Sequence, residues 1–374
     1  MITRLLMAIA MLSGLAGAAS AQMRFETETG PVALEVVAEG LNHPWSLAFL
    51  PDGRMLVTER EGQLRIAGAD GVLSAPIMGV PAVAAVGQGG LLDVVLSPSF
   101  AEDRLVYLSF SEPRDAGSGA SVMRGRLSAD DTRLDDVAVI FRQQPSFGGG
   151  YHFGSRLVFD RSGALFITTG DRNGLRAEVQ GGGNTIGKIV RVTADGGVPT
   201  GNPKPSDWLP EIWSMGHRNI QGAALHPETG ALWTVEHGPR GGDELNRPEA
   251  GKNYGWPVIS YGTEYSGDAI GEATAKAGMK QPVHYWDPSI SPSGLAFVTG
   301  DVIPGWTGNL LTGSLSRRHV ARLVMADGAV VHEEQLFPDV ARFRDVRQGP
   351  DGYVYLLTDA GGGEGRILKI VPAL

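Results

Sequence analysis

Five short stretches of this chain concentrate residues able to bind anions and to move protons. Gln88 sits in Gly87-Gln88-Gly89-Gly90, directly ahead of an apolar run, and His152 precedes Phe153-Gly154. Arg218 and Asn219 belong to Gly216-His217-Arg218-Asn219-Ile220-Gln221-Gly222. Glu236-His237-Gly238-Pro239-Arg240-Gly241-Gly242-Asp243-Glu244 follows an apolar run, and Arg342-Phe343-Arg344-Asp345 opens another. Arginines with amide donors suit an anionic, carboxylate-rich ligand. A histidine beside that ligand suits proton abstraction. Asp243-Glu244 reads either as an ordinary turn or as hard-oxygen ligands for calcium. Singly, each stretch also has an ordinary reading: a solvated histidine, or an arginine pair that alternates on a strand, faces one side and is salt-bridged.

Their placement gives them weight. One unit recurs along the chain: an alternating apolar run, a turn rich in Pro, Asp or Gly, and a second apolar run. The copies begin at Leu47, Val94, Leu157, Ala224, Leu295 and Val346. Period-2 alternation with β-branched and aromatic residues predicts strands, and Asp-Gly or Ser-Gly between them predicts hairpins. The copies are roughly 45 to 75 residues apart, a period that suggests a propeller or an array. The expected fold is therefore all-β, a six-bladed β-propeller of four-stranded antiparallel blades. Sustained helical periodicity is missing, which argues against a doubly wound α/β fold. In a closed ring the polar residues at several strand starts would converge on one mouth. The Gly-rich stretches Phe147–His152 and Val179–Asn184 lack the Gly-Lys-Ser/Thr of a phosphate loop and read as turns.

Composition narrows the possibilities. The chain has 374 residues, 42% of them apolar and 20% charged, as in a folded globular protein. Its formal net charge of −9 argues against binding nucleic acid through the phosphate backbone. With no cysteine, disulfides, thiolate metal sites and a cysteine nucleophile are excluded. At the N-terminus, Arg4 precedes the apolar run Leu5–Leu15, and Ala19-Ser20-Ala21 fits a signal-peptidase site. The expected organisation is a cleaved signal peptide over residues 1–21 and one propeller domain over 22–374. The protein is expected to be periplasmic or secreted, with no membrane insertion, because the apolar run of about 11 residues is too short to span a bilayer.

The order of these stretches resembles the soluble aldose sugar dehydrogenases that use pyrroloquinoline quinone (PQQ), relatives of soluble quinoprotein glucose dehydrogenase. The carriers are Gly87–Asp93, Gly216–Gly222, Glu236–Glu244, Gly251-Lys252-Asn253-Tyr254-Gly255-Trp256-Pro257 and Arg342–Val346, and the likeness covers the mature chain. The resemblance implies the same six-bladed fold and oxidation of an aldose at its anomeric C1 hydroxyl. His152 would be the general base, taking the hydroxyl proton while hydride leaves C1 for the quinone. Gln88 would contact the cofactor near the substrate, and Arg218 and Asn219 the quinone oxygens. Arg342 and Arg344 would bind cofactor carboxylates, with Tyr265 at the cofactor edge. One calcium, held by backbone carbonyls of Gly238 and Pro239, would bridge PQQ, and a second, structural calcium would use positions matching Glu244 and Tyr254. The implied partners are a small aldose and an external electron acceptor, a quinone or a cytochrome.

Two departures stand out. Where the family often has a lysine after Ser-Leu, this chain has Ser316, which cannot neutralise a carboxylate; Arg317 or Arg318, next in the chain, would substitute for the lysine, and Ser316 and Arg317 are the positions expected at the cofactor. Tyr151 stands where the glucose dehydrogenase branch has an aspartate, which places the chain nearer the broad-specificity aldose branch. The long dimer-forming insertions of that branch are missing, so a monomer is expected. Two other readings remain open: a calcium-dependent six-bladed sugar lactonase, and a non-catalytic sugar-binding propeller.

Overall fold

The structure, a computed structural model, describes residues 23–373. The expected signal peptide over 1–21 lies outside the described residues. Each predicted hairpin forms the inner part of an antiparallel sheet, and six such sheets follow one another along the chain. Four have four strands and start at Leu91–Leu96, Gly154–Phe159, Ile220–Leu225 and Pro292–Phe297. The first strand of each sheet packs against the first strand of the next, and Phe343–Gln348 in the sixth packs back on Pro44–Phe49 in the first. The ring is a six-bladed β-propeller.

Two blades depart from the expected four strands. The first has three, Pro44–Phe49, Met55–Glu59 and Gln63–Ala67. Its fourth place is taken by a segment bonded through Ser74 N–H to Ile66 and Ile77 N–H to Leu64, with Pro76 between them lacking a donor. The last blade has five strands, because the N-terminal strands Met23–Phe25 and Val32–Leu41 join Phe343–Gln348, Val354–Thr358 and Gly365–Pro372. Val32–Leu41 runs antiparallel to the C-terminal strand from Val32 opposite Pro372 to Leu41 opposite Gly365. Helix is confined, among the described residues, to the turn Phe100–Asp103 and a 3₁₀ segment, Arg176–Gln180. No helix there is long and apolar enough to cross a membrane.

Every innermost strand carries an extra residue near its start. The pairing slips between Pro44 and Ser46, Leu91 and Val94, Gly154 and Leu157, Ile220 and Gly222, Pro292 and Leu295, and Phe343 and Asp345. A bulge re-aims side chains, and repeated at one level of all six blades it supplies residues to the channel. Asp93, Arg156, Asp345 and Arg347 meet there as a buried ion network. Arg156 reaches Asp345 at 2.9 Å, and Arg347 reaches Asp93 at 2.6 Å and Asp345 at 2.9 Å. Ser46 Oγ donates to Asp93 at 2.6 Å, and Arg156 Nε donates to the Gln221 carbonyl at 2.5 Å, so five blades share the plug. Removing one partner of a buried pair leaves a charge uncompensated. Arg156→Met is therefore expected to destabilise the fold by about 3–5 kcal/mol, read as a lower urea midpoint. An unchanged midpoint would show that the plug contributes nothing to holding the ring.

Candidate functional site

The start of a blade's first strand lies beside the end of its second, because the two form an antiparallel hairpin. Residues just before a first strand and just after a second strand therefore share one rim of the ring. Gln88, His152, Arg218 and Arg342 come from the first set, and Arg60, His237 and Asp359 from the second, and all seven line one cavity of about 300 Å³. Its walls are mostly polar, and it ends on Trp45 and Arg344 toward the channel.

His152 is held in a left-handed backbone conformation (φ 52°). Gly170 makes this possible: a Cβ there would stand 2.1 Å from the His152 carbonyl oxygen. His152 N–H donates to Gln88 Oε1 at 2.8 Å, and its Nδ1 lies 2.6 Å from Asp171 Oδ1. That oxygen also accepts Asn173 N–H at 2.7 Å, while Asp171 Oδ2 accepts the Trp256 indole N–H at 2.8 Å. Burial lowers the His152 pKa below that of a free imidazole; the Asp171 bond opposes this, and Arg218 and Arg172 reinforce it. Burial pushes Asp171 up, but His152 and Arg218 outweigh it, so its pKa is lowered and it stays ionised. A neutral imidazole with Nδ1–H committed to Asp171 presents Nε2 as a proton acceptor.

Opposite charges line the remaining walls. Arg218, 6% exposed, donates from Nη1 to the carbonyls of His237 (3.0 Å) and Gly238 (2.7 Å) and lies over the Trp256 ring. Arg344 donates to Gln221 Oε1 at 3.2 Å and to Asp359 Oδ2 at 3.1 Å. Arg342 shares Asp359 at 3.2 Å and donates to the Leu315 carbonyl. Burial would raise the Asp359 pKa, but Arg344 and Arg342 overrule it and hold the carboxyl well below the usual carboxylate range. The Nε atoms of Arg218 and Arg344 and the Nδ2 of Asn219 are buried with no hydrogen-bond partner among the described residues. Arg218 and Arg344 line the pocket and Asn219 lies behind it, and buried donors left unpaired in this way are costly unless an acceptor reaches them.

Residues 41–369 match the family model of glucose/sorbosone dehydrogenases. The aldose sugar dehydrogenase YliI of Escherichia coli K12 is 49% identical over 348 residues, covering 91% of this chain and 93% of that one. The chain belongs to the glucose/sorbosone dehydrogenase family. The crystal structure of the soluble aldose sugar dehydrogenase from E. coli, in its apo form, superposes with a TM-score of 0.87 at 46% identity, covering 91% of this chain and 100% of that one. The PQQ-bound aldose sugar dehydrogenase from Streptomyces coelicolor does so with a TM-score of 0.75 at 30% identity, covering 91% and 98%.

In this glucose/sorbosone dehydrogenase the remaining candidates fall into two groups. Tyr265 lines the rim of the main cavity with its side chain largely in solvent, 75% exposed. Asn219 sits just behind the wall, its Oδ1 accepting Gly154 N–H. Gly238 and Pro239 line the main cavity and also a small pocket behind it, where Glu236, Glu244 and Tyr254 meet. Glu244 is half-buried beside Glu236, and loss of solvation together with that second carboxylate raises its pKa to about 8. Asn246 donates to both carboxylates and leaves its own Oδ1 buried without a partner. The Tyr254 hydroxyl is committed to the Arg247 carbonyl and Glu249 N–H, so its hydroxyl does not face that pocket's carboxylates. Asp243 accepts Gly238 N–H on one oxygen and Ser289 Oγ, Ile290 N–H and Ser291 N–H on the other, which makes it an anchor for the Gly238 loop.

Ser316 and Arg317 are not brought to the main cavity. They are exposed and line an adjoining groove with Tyr285, Asp287 and Asp339. The backbone decides this: Leu315 and Ser316 N–H groups bond Ser291 and Ile290, and Arg317 N–H bonds Ser314 Oγ. That turn carries the side chains past the rim, and only Leu315 lines the cavity. Sequence reasoning missed Asp171, Asp359 and Trp45. Asp359 directly follows the end of a predicted second strand (Thr358-Asp359) and Asp171 comes three residues after another (Thr168-Thr169-Gly170-Asp171), a placement that could have marked them.

Proposed function

We propose that the protein is a PQQ-dependent aldose sugar dehydrogenase, oxidising the anomeric C1 hydroxyl of aldoses to lactones outside the cytoplasm as a monomer. Its electrons pass to an external acceptor, a quinone or a cytochrome. The observation that carries this reading is a neutral His152 imidazole, bonded to ionised Asp171, facing a cavity lined by four arginines, Arg60, Arg218, Arg342 and Arg344, two of them with orphaned donors.

The donor set fits PQQ. A planar dianionic or trianionic cofactor satisfies what the cavity leaves open: Arg344 and Arg342 for carboxylates, Arg218 and Asn219 for the quinone oxygens, Gln88 near the substrate, and Tyr265 at the rim. Gly238 and Pro239 line the same cavity, and the Gly238 carbonyl keeps a lone pair beyond its Arg218 bond, so the backbone oxygens of these two residues would hold a calcium that acts with PQQ as a Lewis acid. The pocket of Glu236 and Glu244, with the free Asn246 oxygen, suits a second, structural calcium. PQQ supplies the hydride-accepting redox chemistry. The protein does the rest. His152 Nε2 takes the C1 hydroxyl proton, and Asp171 stabilises the imidazolium that forms. Arg218 and Asn219 would hold the quinone oxygens of the bound cofactor and stabilise negative charge there.

Reconstitution tests the whole reading. Purified protein given PQQ and calcium is expected to turn over several aldoses with a dye acceptor, and the cofactor absorbance should change on sugar addition. Folded, calcium-loaded protein that fails to bind PQQ would overturn it and bring forward the lactonase or the sugar-binding propeller.

A further inference from the structure

Trp256 touches both halves of the site and has no role in the chemistry described above. Its indole N–H donates to Asp171 Oδ2 at 2.8 Å, on the oxygen that His152 does not use. Its ring lies 5.3 Å from the Arg218 guanidinium and 5.9 Å from that of Arg176. The residue is itself immobilised. Its backbone N–H donates to the Gly216 carbonyl at 3.0 Å, and its carbonyl accepts Gln180 Nε2 at 2.7 Å. Its side chain packs on Val179, Ile186 and Ile270.

We propose that Trp256 is a positioning residue that sets how strongly His152 holds its proton, acting through Asp171. An ionised carboxylate bonded to a donor on each oxygen shares its charge between them. The indole N–H draws charge toward Oδ2 and weakens Asp171 as the partner of the His152 Nδ1–H. Without it, Asp171 stabilises the imidazolium more strongly. His152 would then stay protonated to higher pH and be unable to accept a proton from the sugar. The other charged groups facing the pair are Arg218, Arg172 and Arg176, together with His237, which burial keeps neutral, its pKa lowered to about 3. None of these depends on the indole N–H, so removing that one hydrogen isolates its effect.

This inference rests on His152 as the base, but its test does not require turnover. Trp256→Phe keeps an aromatic ring for Arg218 and for the packing, and removes the donor. The His152 ring C–H resonance, followed by NMR against pH in cofactor-free protein, is expected to titrate about one pH unit higher than in the parent. After reconstitution, the acid limb of kcat/KM should move the same way. In an Asp171→Asn background the same substitution should leave the His152 midpoint where Asp171→Asn alone puts it. Should Trp256→Phe fold poorly, benzothienylalanine at position 256, which replaces the N–H by sulfur in the same shape, gives the same comparison. An unmoved midpoint, or an equal shift in the Asp171→Asn background, overturns the proposal. A shifted midpoint in a protein that oxidises no sugar would leave the relay standing and sink the dehydrogenase reading instead.

Discussion

His152→Ala is expected to lower kcat by about 10²-fold or more while PQQ binding stays near the parental level, as loss of a positioned general base does. The split follows from where His152 sits. Its backbone N–H, which alanine keeps, is what it offers Gln88; its ring is what it offers the substrate. Burial, with Arg218 and Arg172, sets its pKa below the free imidazole value despite Asp171. The rate should therefore fall only as the medium becomes more acidic than that lowered pKa, and stay flat from there through neutrality. The protonated ring cannot accept a proton, so the loss lies on the acid side. In His152→Ala that acid limb should disappear along with most of the rate. Turnover within twofold of the parent, or an acid limb unchanged in the variant, would remove His152 from its role.

The second large effect is on cofactor affinity, and it separates two arginines that look equivalent in the sequence. Arg344→Ala is expected to weaken PQQ binding by about 10²-fold or more, measured by titrating calcium-loaded protein with PQQ. Arg342→Ala should weaken it by much less. The Arg344 side chain is 11% exposed, holds an orphaned Nε and is fixed between Gln221 and Asp359. Truncating it removes a pre-aimed donor and leaves Asp359 short of a partner on the cavity wall. The Arg342 side chain is 47% exposed, where solvent screens its charge and its position costs entropy to fix. Equal losses for the two variants, or a larger one for Arg342→Ala, would contradict this account of how the carboxylates are held.

Most of the propeller was legible because its signal is local. Alternation and an Asp-Gly or Ser-Gly turn fall within a dozen residues, as in Leu157–Thr168, and the hairpin forms where the pattern stands. Strand counts in the first and last blades were not legible, because Val32–Leu41 pairs with the other end of the chain and nothing near it says so. The site divides the same way. His152, Arg218 and Arg344 announce themselves by type and by position at a strand start. Asp171 and Trp256 do not, since their significance is a chain of contacts, His152 to Asp171 within one blade and Asp171 to Trp256 across to the next. Ser316 and Arg317 mislead for a further reason. Side-chain direction after Ser314 is fixed by backbone hydrogen bonds across to Ser291 and Ile290, and a string of residue types does not encode that turn.

The last blade also carries a consequence for how the molecule comes into being. Its sheet joins the first strands of the chain to the final one, so the ring is sealed only when the C-terminus exists. A growing chain can lay down blades in order, but Val32–Leu41 waits for Gly365–Pro372, more than 300 residues further on. Contacts between sequence ends are slow to find. The ring therefore stays open until Gly365–Pro372 has been made. Loss of Gly365–Pro372 from the end would leave Val32–Leu41 with an unpaired edge, exposed to whatever strand comes by.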